Sequence, residues 1–544
     1  TSTFVDTVEV RVVNVDVVVL DLDGRPVTGL AREDFVLTVD GRPVELSNFA
    51  AYDEAATLRA SLEAISAPPA EGAPGSPALA APPSTWIVYV DQSNVQPGPR
   101  GELARSVSDF LASSLRTGDR SMVATFDGKS LKFLSSLSED RAPALAALAK
   151  LQRRAGFPSG LLGRASQIQA GIASLDPGSR GASSQVEILR YEIERLDEDL
   201  ALRQRAAFQA LRDLLSLVAG VEGRVALIYG GGGFESDPVG NLYRMLEAKL
   251  TGRFNPGLDP RRERDLLAAQ NRVDYERLLT EVNASRVTVY SVFAGEGRAP
   301  GLSAEFGGSP EASGPSLSLE GREADTSLAA FATATGGRSF VSAPDLGEQL
   351  ETAQRDFASY YSLGYHPVVS DPGGFHDLKV TVRREGVRVL HRRGVQERTA
   401  EQVAGNAATE ALIAAAPPKN PFGAVIRVGE VTKAKLGRAM RVPVRVLVPL
   451  RAVTLLPAGA AHHASLSYHF TLRDPDGGYR RLEPRPLAFD VPGEKLAAAL
   501  DQRFSFEIVL ELEPGAYQLA AAVVDTLGGA TSVATVGFEA SKRR

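Results

Sequence analysis

The stretch Trp86-Ile87-Val88-Tyr89-Val90-Asp91-Gln92-Ser93 decides the fold. Its opening run, 86–90, is apolar, β-branched and aromatic, the composition of a strand buried on both faces. It ends in the oxygen-bearing side chains of Asp91 and Ser93. A helical pattern follows over 103–115, then a strand over 121–126, and further strands at 224–229 and 286–293. Strands alternating with helices predict a parallel, doubly wound α/β sheet. Such sheets bind ligands at the carboxyl ends of their strands, which puts Asp91 and Ser93 in the crevice. Hard cations such as Mg²⁺ and Ca²⁺ take oxygen ligands, so Asp-x-Ser is a candidate metal pair.

Outward from this strand, residues 5–50 read as an N-terminal β unit. Val8 to Val12 alternates, and Val15 to Leu20 is almost wholly apolar. Asp23-Gly24 and Asp40-Gly41 are hairpin-turn signals, because glycine supplies the positive φ a tight turn needs. Asp21, Asp23 and Asp40 belong to those turns rather than to a calcium loop, since no loop of EF-hand length ending in Glu follows. Residues 52–84 are rich in Ala and Pro and read as a linker. The central α/β domain spans 85–395. It carries a helical insertion over 186–218 whose charged first half is expected to project or to pack on one face only. A loop over 294–325, helices over 326–334 and 346–357, and strands near 359–365, 377–383 and 386–391 complete it. A helix and linker (397–421) lead to short strands with turns over 422–540, the pattern of an Ig-like β-sandwich.

Lys+Arg total 60 and Asp+Glu 66 in 544 residues, a net charge of −6. That balance offers no basic footprint for nucleic acid. The terminal Lys542-Arg543-Arg544 reads as a solvated tail. Cysteine is absent, which excludes disulfides and thiolate chemistry. No apolar run is long enough to span a membrane as a helix. The first residue is Thr1, not Met, and removal of a secretory signal is one expectation from that.

Other chemistry finds little support. Gly230 to Gly233 follow a strand, yet no Gly-Lys-Ser/Thr comes after them. Gly128-Lys129-Ser130 lacks the upstream glycine of a phosphate loop, Val123 standing there. The glycines read instead as permitting a tight loop. His366, His376, His391, His462, His463 and His469 form no His-Glu-x-x-His; they read as exposed or edge-strand residues, although His376 and His391 could be cross-strand neighbours. No Gly-x-Ser-x-Gly elbow is present. Glu192 and Asp199 read as a solvated helix face, and Tyr360, Tyr361 and Tyr365 as core, with a contact patch as the alternative.

Several pieces in order make the chain resemble the von Willebrand factor A-type (VWA) related family abundant in acidobacterial genomes. They are Val27-Thr28-Gly29-Leu30 with Glu33-Asp34-Phe35 and Asp40-Gly41; Asp91-x-Ser93; Gly223 to Tyr229 with Gly232-Gly233-Phe234; Thr335-Gly336-Gly337-Arg338; and Tyr360 to Tyr365. The likeness covers about 5–395, and Pro514, Gly515 and Tyr517 extend it loosely into 422–540. It implies a VWA domain, an extracytoplasmic location (periplasmic, cell-surface or secreted) and adhesion or protein–protein binding. The family's metal site uses Asp-x-Ser-x-Ser, a Thr on a second loop and an Asp on a third. Asp91 and Ser93 match, the second Ser is Val95, the third-loop Asp falls on Gly232, and Ser159 is the nearest candidate for the Thr. Glu235, Ser236 or Asp237 are the residues that could replace a lost ligand. The expectation is a non-enzymatic scaffold protein with a degenerate metal site at Asp91 and Ser93, no cofactor, and a protein partner in a membrane-associated or surface assembly. Nucleic acid and nucleotide are not expected as partners. The alternatives are a metal-dependent adhesin with a rebuilt Mg²⁺ or Ca²⁺ site, and a hydrolase with an unrecognised pocket.

Overall fold

A computed structural model describes residues 12–53, 79–95, 97–153, 159–221, 223–250, 261–294, 326–341, 345–367, 374–396, 399–434 and 438–541. The strand start at 8–11, most of the linker (54–78), the loop over 295–325 and the basic tail 542–544 lie outside them. The chain forms two units. The larger is Thr1–Ser130, Glu139–Arg212 and Gly223–Gln396; the smaller is Leu131–Ser138, Asp213–Glu222 and Glu397–Arg544.

The larger unit begins with β1 (Val13–Leu20), β2 (Phe35–Val39), β3 (Arg42–Val44) and β4 (Leu46–Asp53). The α/β part follows: β5 (Thr85–Asp91), α1 (Pro97–Ser113), β6 (Arg120–Phe126), α2 (Ala142–Arg153), α3 (Ser159–Ser174), α4 (Ala182–Val218), β7 (Val225–Gly231), α5 (Gly240–Leu250), α6 (Arg261–Ala284) and β8 (Val287–Phe293). Next come a helix over 326–334, β9 (Ser339–Val341) and α7 (Leu346–Ala358), then β10 (Ser359–Tyr365), β11 (Phe375–Val382), β12 (Arg388–His391) and β13 (Gly394–Gln396).

Parallel pairing gives the order β9-β8-β7-β5-β6. From β5 the chain runs outward to β6 on one side and to β7, β8 and β9 on the other. The carboxyl ends of β5 and β7 therefore flank the point where strand order reverses. Helices cover both faces. Trp86 packs its ring 5.0 Å from Phe110 of α1 and 5.0 Å from Phe357 of α7. Tyr89, pointing the other way, lies 5.7 Å from Tyr229, which meets Phe331 and Phe234, and Phe234 in turn meets Phe208 of α4. Burial on both faces is why β5 and β7 show no polar alternation.

The N-terminal strands do not stand alone, which corrects the domain boundary at 50 and the assignment of 359–391 to the central domain. β1 pairs antiparallel with β10 (Val15 opposite Leu363) and with β12 (Val18 opposite Leu390). β2 pairs with β11 (Leu37 opposite Val380). The sheets β12-β1-β10-β4 and β13-β11-β2-β3 share a core of Val15, Val17, Leu37, Leu363, Val380 and Val395. Strands of one face cannot bury that face without a partner, and these partners arrive more than three hundred residues later in the chain. Residues 52 and 53 belong to β4, and Leu79 bridges Tyr52, so the linker proper is shorter than 52–84.

The tight turns fall where expected. Asp40 and Gly41 have φ of 49° and 76°, the paired positive values of a type I′ hairpin. Asp21 accepts from the Arg25 backbone N–H. Tyr360, Tyr361 and Tyr365 are all buried. Tyr361 Oη accepts from Leu30 N and donates to Val27 O, each at 3.0 Å. The first half of α4 packs on one face only, as expected: Ile193 and Leu196 form a separate small core with Ile168 and Ile172 of α3 and Leu242 and Leu246 of α5, while Glu192, Glu194 and Arg195 are exposed. Helices α2, α3, α5 and α6 are findings of the structure, not of the periodicity.

The smaller unit contains α8 (Ala400–Ile413), β14 (Val425–Val428), β15 (Thr432–Lys433), β16 (Met440–Pro449), β17 (Leu456–Ala458), β18 (Ala461–Arg473), β19 (Tyr479–Arg481), β20 (Arg485–Pro492), β21 (Arg503–Leu512), β22 (Ala516–Asp525) and β23 (Thr531–Glu539). One sheet is built on β16, flanked by β14 and β15 and by β21; the other runs β17-β18-β22-β23, with β19 and β20 on β18. Along β16, Met440, Val442, Val444, Val446 and Val448 point inward and Arg441 and Arg445 outward, the period of two that a one-sided sheet requires. The unit is larger than 422–540, because α8 and two earlier segments join it. Leu137 exchanges backbone hydrogen bonds with Ile413 and Ala415, and Arg481 donates to Ser216 O, Asn406 Oδ1 and Thr409 Oγ1.

Candidate functional site

The site sits at the carboxyl end of β5. Asp91 is 1% exposed, and Ser93 donates to its Oδ1 twice, from Oγ at 2.5 Å and from the backbone N–H at 3.0 Å. These bonds form an Asx turn that carries the chain out of the strand. Burial pushes the Asp91 carboxyl up to about 6, against the pull of the Ser93 hydrogen bonds. Gln92 donates to Thr125 Oγ1 and Thr125 to Val90 O, which ties the turn to β6.

The other expected positions are closed to ligation. Val95 is fully buried and apolar. A Cβ placed on Gly232 would stand 2.2 Å from Asn94 O and 2.8 Å from Asn94 Oδ1. Asn94 donates from Nδ2 to Gly233 O at 2.6 Å, so it bridges the two loops where a third-loop carboxylate would project. The neighbouring Gly230 is also set by space, since a Cβ there would reach Leu103 Cδ2 at 2.3 Å. The glycine run thus serves close packing of the β7 end against α1 and the Asp91 turn.

Ser159 begins α3, and its side chain lies outside the described residues. Asp237 folds back on the start of α5, its Oδ2 2.3 Å from where a Gly240 Cβ would be, and its backbone O accepts from Gly240 N. Ser236 O accepts from Asn271 Nδ2. Of the three replacement candidates, Glu235 lines the same cavity as Asp91 and Ser93. The donors present do not fit a six-oxygen cation shell: one buried carboxylate and one hydroxyl are bonded to each other, and Asn94 fills the third-loop position.

Outside this site, His376 and His391 are not brought together as a ligand pair. His376 Nδ1 pairs with Asp40 Oδ2 at 2.8 Å, whereas His391 Nδ1 donates to Arg392 O and its Nε2 accepts from Val380 N. His463 pairs with Asp490. Among the described residues no three His, Asp or Glu side chains gather as a metal cluster. Gly128-Lys129-Ser130 is a turn whose backbone N–H groups at 129 and 130 donate to Asp127 Oδ1. Asp199 pairs with Arg164 of α3 at 2.5 Å rather than with a second carboxylate.

A cavity of about 340 Å³ opens beside Asp91 and Ser93. Its walls come from α3, α4, α5, α6 and the loop after β7 and include Leu161, Leu196, Leu200 and Phe234, with Gln169, Arg203, Gln204, Asn241 and Asn271 among them. None of these polar residues stands out in the sequence. The only available signal is the helical spacing of Leu196, Leu200, Arg203, Gln204 and Ala207 on one side of α4.

No protein-family model matches the chain, and no curated protein matches it. Among solved structures, a structural-genomics target named SoR45 is similar at 10% identity over 21% of this chain and 81% of its own, with a TM-score of 0.14. A β-glucuronidase from Bacteroides uniformis is similar at 11% identity, over 34% of this chain and 19% of its own, with a TM-score of 0.14. OgpA from Akkermansia muciniphila, in complex with an O-glycopeptide, is similar at 11% identity over 27% of this chain and 37% of its own, with a TM-score of 0.12. At TM-scores this low the shared geometry identifies neither fold nor function.

Proposed function

We propose that the chain is a VWA-type binding protein that works outside the cytoplasm and engages a protein partner without a metal ion or a catalytic step. One observation carries this reading: Asn94 occupies the space that a third-loop Asp at position 232 would need. The strand order around β5 and the Asp91–Ser93 turn at its carboxyl end support it. A partner then meets a surface built of loops, with no cation to bridge a partner carboxylate. The second reading, a metal-dependent adhesin with a rebuilt site, draws on Glu235 lining the cavity beside Asp91.

Thermal melts with Mg²⁺, Mn²⁺, Ca²⁺ or chelator separate the two. The metal-free reading expects the same melting temperature in each. A stabilisation by any of these cations that is lost in Asp91→Ala overturns it and favours the adhesin. Cross-linking of the native protein in its source membranes, read by mass spectrometry, tests the partner. Recovery of the uncross-linked monomer alone counts against a scaffold role.

A further inference from the structure

The cavity over the end of β5 carries chemistry of its own. Its apolar wall is unfinished: Leu161, Ala165 and Leu200 pack on the α3–α4–α5 core yet remain partly exposed on the cavity side. Its polar side holds Arg203, Gln204, Gln169 and Asn241, all partly buried, and among the described residues none of their side chains makes a hydrogen bond or ion pair. The two acids of the cavity are engaged, Asp91 by Ser93 and Glu235 by a contact of its own. The planar fork of N–H donors of a guanidinium matches a carboxylate. A concave space of this size with apolar walls and a few convergent polar groups has the make-up of a small-molecule site.

We propose that this cavity binds a small amphiphilic carboxylate. Arg203 takes the carboxylate head, with the amides of Gln204, Gln169 and Asn241 as further donors, and Leu161, Leu200 and Phe234 contact the apolar body. The site needs no cation, and its test is independent of the partner question.

Calorimetric titration of the full chain with decanoate, decanol and decylammonium tests this. Decanoate is expected to bind saturably and at least about tenfold more tightly than the other two, the yield of one charge-assisted contact. Arg203→Met, which keeps the length of the side chain and removes its charge, should erase that preference. Leu200→Trp should abolish binding by filling the cavity, with the melting temperature of the unliganded variant checking that it folds. Equal binding of decanol, preference for decylammonium, undiminished decanoate binding in Arg203→Met, or no saturable decanoate binding would each overturn the proposal.

Discussion

Arg338 grips the buried carboxylate of Asp356 with two donors, Nε to Oδ2 at 2.7 Å and Nη2 to Oδ1 at 2.5 Å. Arg338 precedes β9 and Asp356 lies in α7, so the pair ties the edge of the parallel sheet to the helix that leads into β10. Arg338 also donates to Gly24 O at 3.4 Å, in the turn after β1. Burial pushes the Asp356 carboxyl upward and the guanidinium pulls it back down. Arg338→Met would take from the buried carboxylate its two guanidinium donors and leave it the Tyr290 hydroxyl at 3.5 Å, at a cost of about 3–5 kcal/mol. Urea unfolding measures this. A loss under about 1 kcal/mol would mean that water reaches Asp356 once Arg338 is gone.

The Asn94–Gly232 contact makes a separate prediction. Gly232→Ala should destabilise by about 1–3 kcal/mol, the range for forcing a methyl into filled space. The nearer obstacle is the backbone oxygen of Asn94, at 2.2 Å, and not its side chain. Adding Asn94→Ala should therefore fail to restore the stability lost in Gly232→Ala. Full rescue by the double variant would show that the side-chain amide alone closes the loop.

Asp91 predicts a pH dependence. Its folded pKa lies near 6, above the ordinary carboxyl value of 3.8, so the folded protein holds this proton where the unfolded chain has released it. Stability from this group is full below pH 3.8 and falls as the pH rises towards 6. Asp91→Asn keeps an acceptor for Ser93 and removes the charge. It should gain on the wild type by about 3 kcal/mol or less between pH 4 and 7. Denaturant midpoints for both proteins across that interval test the sign, and a variant that loses ground with rising pH would refute it.

His391 predicts the opposite slope. Nδ1 donates to Arg392 O at 2.7 Å and Nε2 accepts from Val380 N at 3.2 Å, a pattern only the neutral ring can make. Burial pushes its pKa below the usual 6.5. Its contribution is complete above pH 6.5 and is lost as the pH falls through the lowered folded value. His391→Phe should lower stability at neutral pH and flatten the decline on acidification relative to the wild type. Parallel curves for the two proteins between pH 7 and 5 would assign that decline to other groups.

Much of both units was legible in local pattern. The apolar run 86–90 announces a strand buried on both faces, and β5 is one. The alternation of β16 announces a one-sided sheet for the same reason, that side chains alternate across a strand. Under the VWA resemblance, Val95 and Gly232 stand at two ligand positions, and neither side chain can supply an oxygen. The cavity was not legible, since Gln169, Arg203 and Asn241 come from three helices whose shared face arises only in packing.

Taken alone, the sequence determined the strands, the hairpin turns and the residue types at the end of β5, because backbone preference and side-chain periodicity act over a few neighbours. Only the tertiary structure decided that β1 pairs with β10 and β12, that β2 pairs with β11, and that the segments Leu131–Ser138 and Asp213–Glu222 fall in the same compact unit as the C-terminal sheets. An apolar strand face specifies that it must be covered and leaves open which distant strand covers it. Likewise Gly232 excluded a ligand by composition, while Asn94 gave the steric reason for the glycine, a contact between loops 138 residues apart that no local pattern encodes.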